Sequence, residues 1–243
     1  MRGDADIAAV AALMGEPARA AVLVALADGR ALAASTLAAE AGVAASTVSG
    51  HLARLLDGGL VRVEPSGRNR YFRLAGPQVA EAVEALARLA PTHPVRSLRA
   101  GTHAEAIRRA RTCYDHLAGR LGVALLDALV AEGMLTAEPA GGPADPVLGA
   151  GGALRFVLTD GGRQRLCDLG VAVDPPTRRP QTRYCVDWSE QRPHLGGWLG
   201  AALLDRLVAL GWVVRAERRV VRLTETGREG ITSQLGVSSG AFG

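Results

Sequence analysis

The sequence predicts a mainly α-helical protein with small β-wings, and three observations carry that expectation. In the first 90 residues, apolar side chains recur at helical spacing between Gly, Pro and Asp breaks. Two strand-like runs, 60–64 and 70–74, flank the turn-forming Pro65-Ser66-Gly67-Arg68-Asn69. The second half repeats itself: HLAGRLGVALLDALVAEGML from His116 aligns with HLGGWLGAALLDRLVALGWV from His194.

The elements follow in order. Residues 5–14 read as a helix, and Pro17 suits the first turn of a second, which runs to about Ala27 before Asp28-Gly29. A third spans Ser35–Ala41 with Ser35 or Thr36 as its cap, and Gly42-Val43 makes a tight break. Ser46 is the expected cap of a fourth helix, whose Val48, Leu52, Leu55 and Leu56 form one apolar stripe. After the hairpin, Pro77 opens a helix with Val79, Val83, Leu86 and Leu89 on one side. Pro91 and Pro94 end it, which predicts domains at 1–92 and 93–243.

In the second domain, FVLTDGGRQRLCDLGV from Phe156 also aligns with VRLTETGREGITSQLGV, giving repeats at about 113–172 and 185–236. Each copy reads as helix, glycine turn, strand, turn and short helix, a winged-helix-like plan. The first copy carries a Gly/Pro-rich insert at 137–152, expected to be a mobile loop.

Composition bounds the function. The chain has 243 residues, 48% hydrophobic and 21% charged, the profile of a globular protein. No uninterrupted run of 18 apolar residues exists, and Asp4, Asp6 and Glu16 break any secretory-signal pattern, so no membrane partner and a cytoplasmic location are expected. Three cysteines at no zinc-finger spacing suit a reducing compartment. A net charge of +4 permits binding to phosphate without requiring it.

Helix, glycine turn, helix and a two-stranded ribbon is the order of a winged helix-turn-helix, in which the second helix enters the major groove of DNA. Its outward side offers Ser46, Thr47, Ser49, His51 and Arg54, with Gly50 allowing close approach of the DNA backbone. Arg68 and Arg70 sit at the ribbon tip, where they would meet a neighbouring groove or backbone. A polar helix face is ordinarily just a solvated one. Its position between a Gly-Val turn and an Arg-tipped hairpin is what points to DNA.

Here MGEPARAAVLVALADG and ASTVSGHLARLLDGGLVRVEPSGRNRYFRL resemble the ArsR/SmtB family over roughly residues 5–90. The matching letters are Ser46, Ser49, His51-Leu52, Leu55, Gly59-Leu60-Val61, Gly67-Arg68 and Tyr71. The resemblance implies a transcriptional repressor that binds an inverted-repeat operator in double-stranded DNA as a homodimer. It also implies that Ala8, Val10, Ala11, Val83, Leu86 and Leu89 lie at the dimer interface, where the alternative is ordinary intrachain core. The family's usual metal ligands are missing: STLAAEAGV has no cysteine, and PQVAEAVEALARLAP has neither cysteine nor histidine.

Any effector therefore acts on the second domain, and no motif demands a cofactor. Cys113-Tyr-Asp115-His116 and Cys185-Val-Asp187 with His194 introduce the two copies. Cys113 and His116 would share a helix face, and a pseudo-twofold could add Cys185 and His194 to make a tetrahedral site for zinc or another soft metal. The same cysteines could form a redox pair. An organic ligand is the third option, since Tyr114, Tyr184, Trp188, Trp198 and Trp212 cluster in an aromatic-poor chain. Buried cysteines, histidines and tryptophans more often simply fill a core. Arg215, Arg218 and Arg219 would mark a second wing tip. A thiol-dependent enzyme is the rival class, but no oxyanion-forming turn or nucleophile elbow accompanies the Cys/His pairs, so no enzymatic activity is expected.

Overall fold

The computed structural model describes residues 4–66, 69–91, 97–139, 154–176 and 178–242. The chain divides into two compact units, Met1–Leu86 and Ala87–Gly243.

In the first unit, α1 (Ile7–Met14) and α2 (Pro17–Leu26) meet at Glu16, whose side chain caps α2 by accepting from Arg19 N at 2.9 Å. Arg19 is buried, and its guanidinium donates to the carbonyls of Leu13 and Ala12, satisfying the open end of α1. Helices α3 (Ala34–Ala41) and α4 (Ala45–Asp57) are joined by Gly42 in the left-handed region at φ 66°, which closes the turn between them. Val22, Leu23, Leu26, Leu37, Val48, Leu52 and Leu55 form the core beneath this turn.

The wing is a three-stranded antiparallel sheet in the order β1-β3-β2, built from β1 (Leu32–Ala33), β2 (Val61–Ser66) and β3 (Asn69–Leu74). Phe72 and Leu74 of β3 are buried in the core, and Arg70, on the same face of the strand but nearer the tip, is exposed. Helix α5 (Pro77–Leu89) closes the run, burying Ala80 and Val83.

The expected caps prove wrong. The cap positions of α3 and α4 are Ala33 and Ala44, two or more residues before the expected serines and threonine, and neither start has a side-chain cap. Ser46 is thereby released from a structural duty.

The second unit opens with α6 (Leu98–Arg109) and then repeats one plan. The first copy is β4 (Arg111–Cys113), β5 (His116–Ala118), α7 (Gly119–Ala131), β6 (Leu135–Pro139), β7 (Leu154–Leu158) and α8 (Asp160–Asp168). The second is β8 (Arg183–Val186), β9 (Pro193–Gly196), α9 (Gly197–Ala209), β10 (Val213–Arg215), β11 (Val221–Leu223) and α10 (Glu225–Leu235). Each copy is therefore hairpin, helix, hairpin, helix; the expected plan lacked the leading hairpin. Of the insert at 137–152, residues 137–139 belong to β6 and the remainder lies outside the described residues.

The copies interlock. α7 packs on β9 of the other copy, α9 packs on β5, and β5 lies beside β9. Leu121, Leu125, Leu129, Leu199, Leu203 and Leu207 fill one shared core between them. Among the described residues, no single helix is long and apolar enough to cross a membrane.

Candidate DNA interface and metal centre

Helix α4 buries Val48, Leu52 and Leu55 and leaves Ser46, Thr47, Ser49, Gly50 and Arg54 exposed. Its first-turn N–H groups have no side-chain cap, so they are open to an acceptor such as a phosphate oxygen. Ser49 Oγ donates back to Ala45 O at 2.9 Å, leaving its lone pairs for an incoming donor. His51 behaves differently. Its side chain is 14% exposed, with Nδ1 3.3 Å from Glu16 Oε2, so it ties α4 to the cap of α2. That contact, and above all the Arg19 backbone bond, holds the Glu16 carboxyl below its ordinary range.

On the wing, Arg70 is exposed and its guanidinium lies 5.7 Å from the Phe72 ring centroid, a contact that preorients it. Arg68 lies outside the described residues. Of the expected interface positions, Ala8, Val10, Ala11, Leu86 and Leu89 are exposed, whereas Val83 is buried. Ile7 of α1, 76% exposed, is a further exposed apolar side chain that was not anticipated.

In the second unit the four Cys and His side chains converge, but not by sharing a helix. Cys113 and His116 are cross-strand partners in the β4–β5 hairpin, and Cys185 and His194 are partners in the β8–β9 hairpin. This corrects the helical i, i+3 expectation: Tyr114, at φ 58°, turns the chain immediately after Cys113. Because β5 lies beside β9, the two pairs face one another. Cys113 Sγ and Cys185 Sγ are 3.9 Å apart, and the imidazoles of His116 and His194 stack with centroids at 5.1 Å. The ligand atoms of all four residues lie within 4.8 Å of one another.

Two carboxylates stand behind the cluster. Asp115 Oδ1 is 3.3 Å from His116 Nδ1, and the carboxylate accepts from Arg179 at both oxygens, Nη1 to Oδ2 at 2.6 Å and Nη2 to Oδ1 at 2.9 Å. Asp187 Oδ2 lies 3.9 Å from His194 Nδ1 and accepts from Arg111 Nη2 and Gly119 N. Burial works against both charges. The His116 bond and Arg179 outweigh it at Asp115, as Arg111 and His194 do at Asp187, and each pKa falls to about 2. Burial likewise opposes a charged His116, but the adjacent Cys113 sulfur and Asp115 lift its pKa to about 9.

Sequence reasoning missed two helix glycines packed against the histidine-bearing strands, where an added Cβ would lie 2.5 Å from Leu117 O at Gly122 and 2.2 Å from Leu195 O at Gly200. A methyl group on Gly122 of α7 would lie 3.7 Å from His194 Cβ, and one on Gly200 of α9 would lie 3.1 Å from His116 Cβ. The signal was available: the repeat keeps a glycine inside each helix, in RLGVALL and WLGAALL.

The aromatic residues are dispersed. Trp188 lies under the Arg111 guanidinium, Tyr184 stacks on Phe156, Trp198 Nε1 donates to Ala172 O, and Trp212 packs beside Gly230. Tyr114 forms the hairpin turn. A cavity of about 440 Å³, lined by Arg120, Asp127 and Arg192 among others, and another of about 460 Å³, lined by Ser49 and Arg70 among others, include none of these five side chains. The expected second wing tip forms between β10 and β11, with Arg218 exposed in its turn, but the other two arginines are engaged within the chain. Arg219 is buried and donates from Nε to Thr112 O, and Arg215 pairs with Asp205.

Comparison with known proteins agrees with this architecture. A family model described as a helix-turn-helix domain matches residues 14–64. The HTH-type transcriptional regulator YdfF of Bacillus subtilis (strain 168) is 37% identical over 235 residues, covering 96% of this chain and 98% of its own. Among solved structures, HlyU from Vibrio cholerae N16961 is 27% identical at a TM-score of 0.32, covering 34% of this chain and 88% of its own. The homodimeric winged helix-turn-helix DNA-binding domain of Mb0332 from Mycobacterium bovis is 28% identical at a TM-score of 0.31, covering 39% and 100%. With α4 exposed beside its wing, and a relative that matches along nearly its full length, this chain belongs to the helix-turn-helix transcriptional regulators.

Proposed function

We propose that the protein is a cytoplasmic repressor that binds an inverted-repeat operator as a homodimer and responds to an effector at the Cys113/His116/Cys185/His194 cluster, without enzymatic activity. The single observation that carries the DNA reading is the exposed, uncapped start of α4, with Ser46, Thr47, Ser49 and Arg54 outward. Small hydroxyls there approach base edges, while Arg54 and Arg70 hold phosphate. Arg68, from the same wing sequence, is assigned the same role. His51 acts indirectly, by fixing α4 against Glu16.

A homodimer is supported by Ile7, Val10, Leu86 and Leu89, which expose large apolar side chains on α1 and α5. A twofold axis would set two copies of α4 roughly 34 Å apart, the repeat of successive major grooves. The boundary of the DNA-binding domain is assigned to residues 1–92, with 93–243 as the sensing domain. Zinc, another soft metal ion or a thiol oxidant is the effector class that the cluster's chemistry supports.

The test is operator binding by the full chain at several salt concentrations, using DNA from beside its own gene. Arg54→Ala should weaken binding and flatten the slope of log affinity on log salt by about 0.9, one phosphate contact. No retardation of any duplex by the unmodified protein would sink the reading.

A further inference from the structure

Resting on the effector site just assigned, we infer that Cys113 Sγ, Cys185 Sγ and one imidazole nitrogen each from His116 and His194 bind a single tetrahedral zinc ion that clamps the two repeats together. A tetrahedral centre with bonds of about 2.0–2.3 Å needs its donors roughly 3.3–3.8 Å apart. The two sulfurs, at 3.9 Å, lie at the outer edge of that range, and the widest separation in the set is within 4.8 Å. Closing it takes shifts of about 1 Å in the ligand atoms.

The burial pattern points to a ligand. His194 is fully buried, and neither of its ring nitrogens has a hydrogen-bond partner among the described residues. A polar group in that position costs free energy unless something satisfies it. Its ring is stacked on that of His116, and two imidazolium rings so placed would repel each other. A metal ion replaces the protons and removes that conflict. Two thiolates and one divalent cation sum to zero charge, the charge state that a buried site tolerates best.

The choice of metal follows from the donors. Two sulfurs and two imidazoles in tetrahedral array suit zinc, and exclude magnesium and calcium, which take oxygen ligands in larger coordination numbers. All four positions are filled by protein, so the site is closed and leaves no place for a reacting water. Asp115 Oδ1, beside His116 Nδ1, directs Nε2 of that ring to the metal. Each repeat gives one thiolate and one imidazole from facing strands, so the ion ties the copies together where their hairpins meet.

Protein purified from zinc-supplemented cells without chelators should carry one zinc per chain by elemental analysis. Less than about 0.2 zinc per chain would overturn the assignment, since such sites bind tightly at neutral pH. Cobalt added to the stripped full chain should give the visible bands of a tetrahedral ion and a thiolate charge-transfer band. A pale octahedral spectrum would also overturn it. Cys185→Ser and His194→Ala should lose both signals, whereas Cys167→Ser, at an exposed position outside the cluster, should keep them. If the cluster variants fail to fold, the cobalt spectrum of the unmodified chain decides alone. A chain that binds operator but takes up neither zinc nor cobalt defeats this inference and spares the regulator; one that holds zinc and ignores DNA does the reverse.

Discussion

Met134 and Trp212 hold the same place after the long helix of each repeat, yet the two copies surround them differently. Met134 is fully buried, and Arg165 of the following helix pairs with Glu132. Trp212 is half-buried, and where the first copy has Arg165 the second has Gly230, over which the indole lies. A methyl on Gly230 would come within 2.3 Å of that ring. The outer faces have thus drifted, with a larger side chain matched to a lost one. Near the centre the copies agree: Cys, Asp, His and the helix glycine recur in both. What is shared is what touches the cluster, and what varies is the periphery.

The largest expected effect comes from a difference within that shared centre. Arg111 and Asp187 are both wholly buried, whereas Arg179 and Asp115 keep 31% and 28% exposure. Asp187→Asn removes the carboxylate that balances a buried guanidinium, and should cost about 3–5 kcal/mol. Asp115→Asn should cost about 1 kcal/mol or less, because water screens its partner. Denaturant unfolding of both variants measures this. Equal losses would mean that the two ion pairs, unequal in burial, do equal work, and the comparison would fail.

Next come the glycines. A methyl on Gly227 would sit 1.8 Å from Trp212 O, and one on Gly162 2.1 Å from Met134 O. Both are backbone obstacles that cannot rotate away, so each Gly→Ala change should destabilise by about 1–3 kcal/mol. Gly200→Ala meets Leu195 O at 2.2 Å and should in addition push His116 out of line, reducing metal content as well as stability. A Gly200→Ala protein that keeps full stability and full zinc would show that His116 does not depend on this close approach.

The sequence made the N-terminal unit readable because each helix there is bounded by strong punctuation: Pro17, Gly29, Gly42 and Gly59. Its helix starts were misread since Ala44-Ala45 offers no letter that announces a cap, while serines stand next to it. Strand β1, two residues long, exists only through its pairing with β3. In the second unit, self-similarity exposed the repeat, and Cys-x-Asp with His exposed the cluster. The hairpins carrying it stayed hidden. Their strands are three or four residues long, and the first turn uses Tyr114 where a glycine or asparagine would have signalled it. That the two hairpins meet is a tertiary fact, beyond any local pattern.

Capping effects should be smaller and equal. Thr159 accepts from Gly162 N at 2.9 Å and donates to Gly133 O; Thr224 accepts from Gly227 N at 2.9 Å and donates to Gly211 O. Thr→Ala at either position should cost about 1 kcal/mol. Matched losses in thermal or chemical unfolding would support equivalent roles for the two caps. A loss at one alone would mean that the other helix start is held by different contacts.

The smallest effect has the opposite sign. Gly161 lies next to the crowded Gly162 in α8, yet a methyl there would meet nothing within 4 Å, and its backbone is helical. Alanine at this position loses less conformational freedom on folding and should stabilise by roughly 0.4–1 kcal/mol. The second copy already carries a side chain, Thr226, at the equivalent point of α10, which is what an open position permits. Two adjacent glycines in one helical turn would then respond in opposite directions to the same added carbon. If Gly161→Ala instead destabilises the protein in chemical unfolding, the first copy packs something against this turn that the second does not, and the equivalence of the two peripheries must be redrawn there.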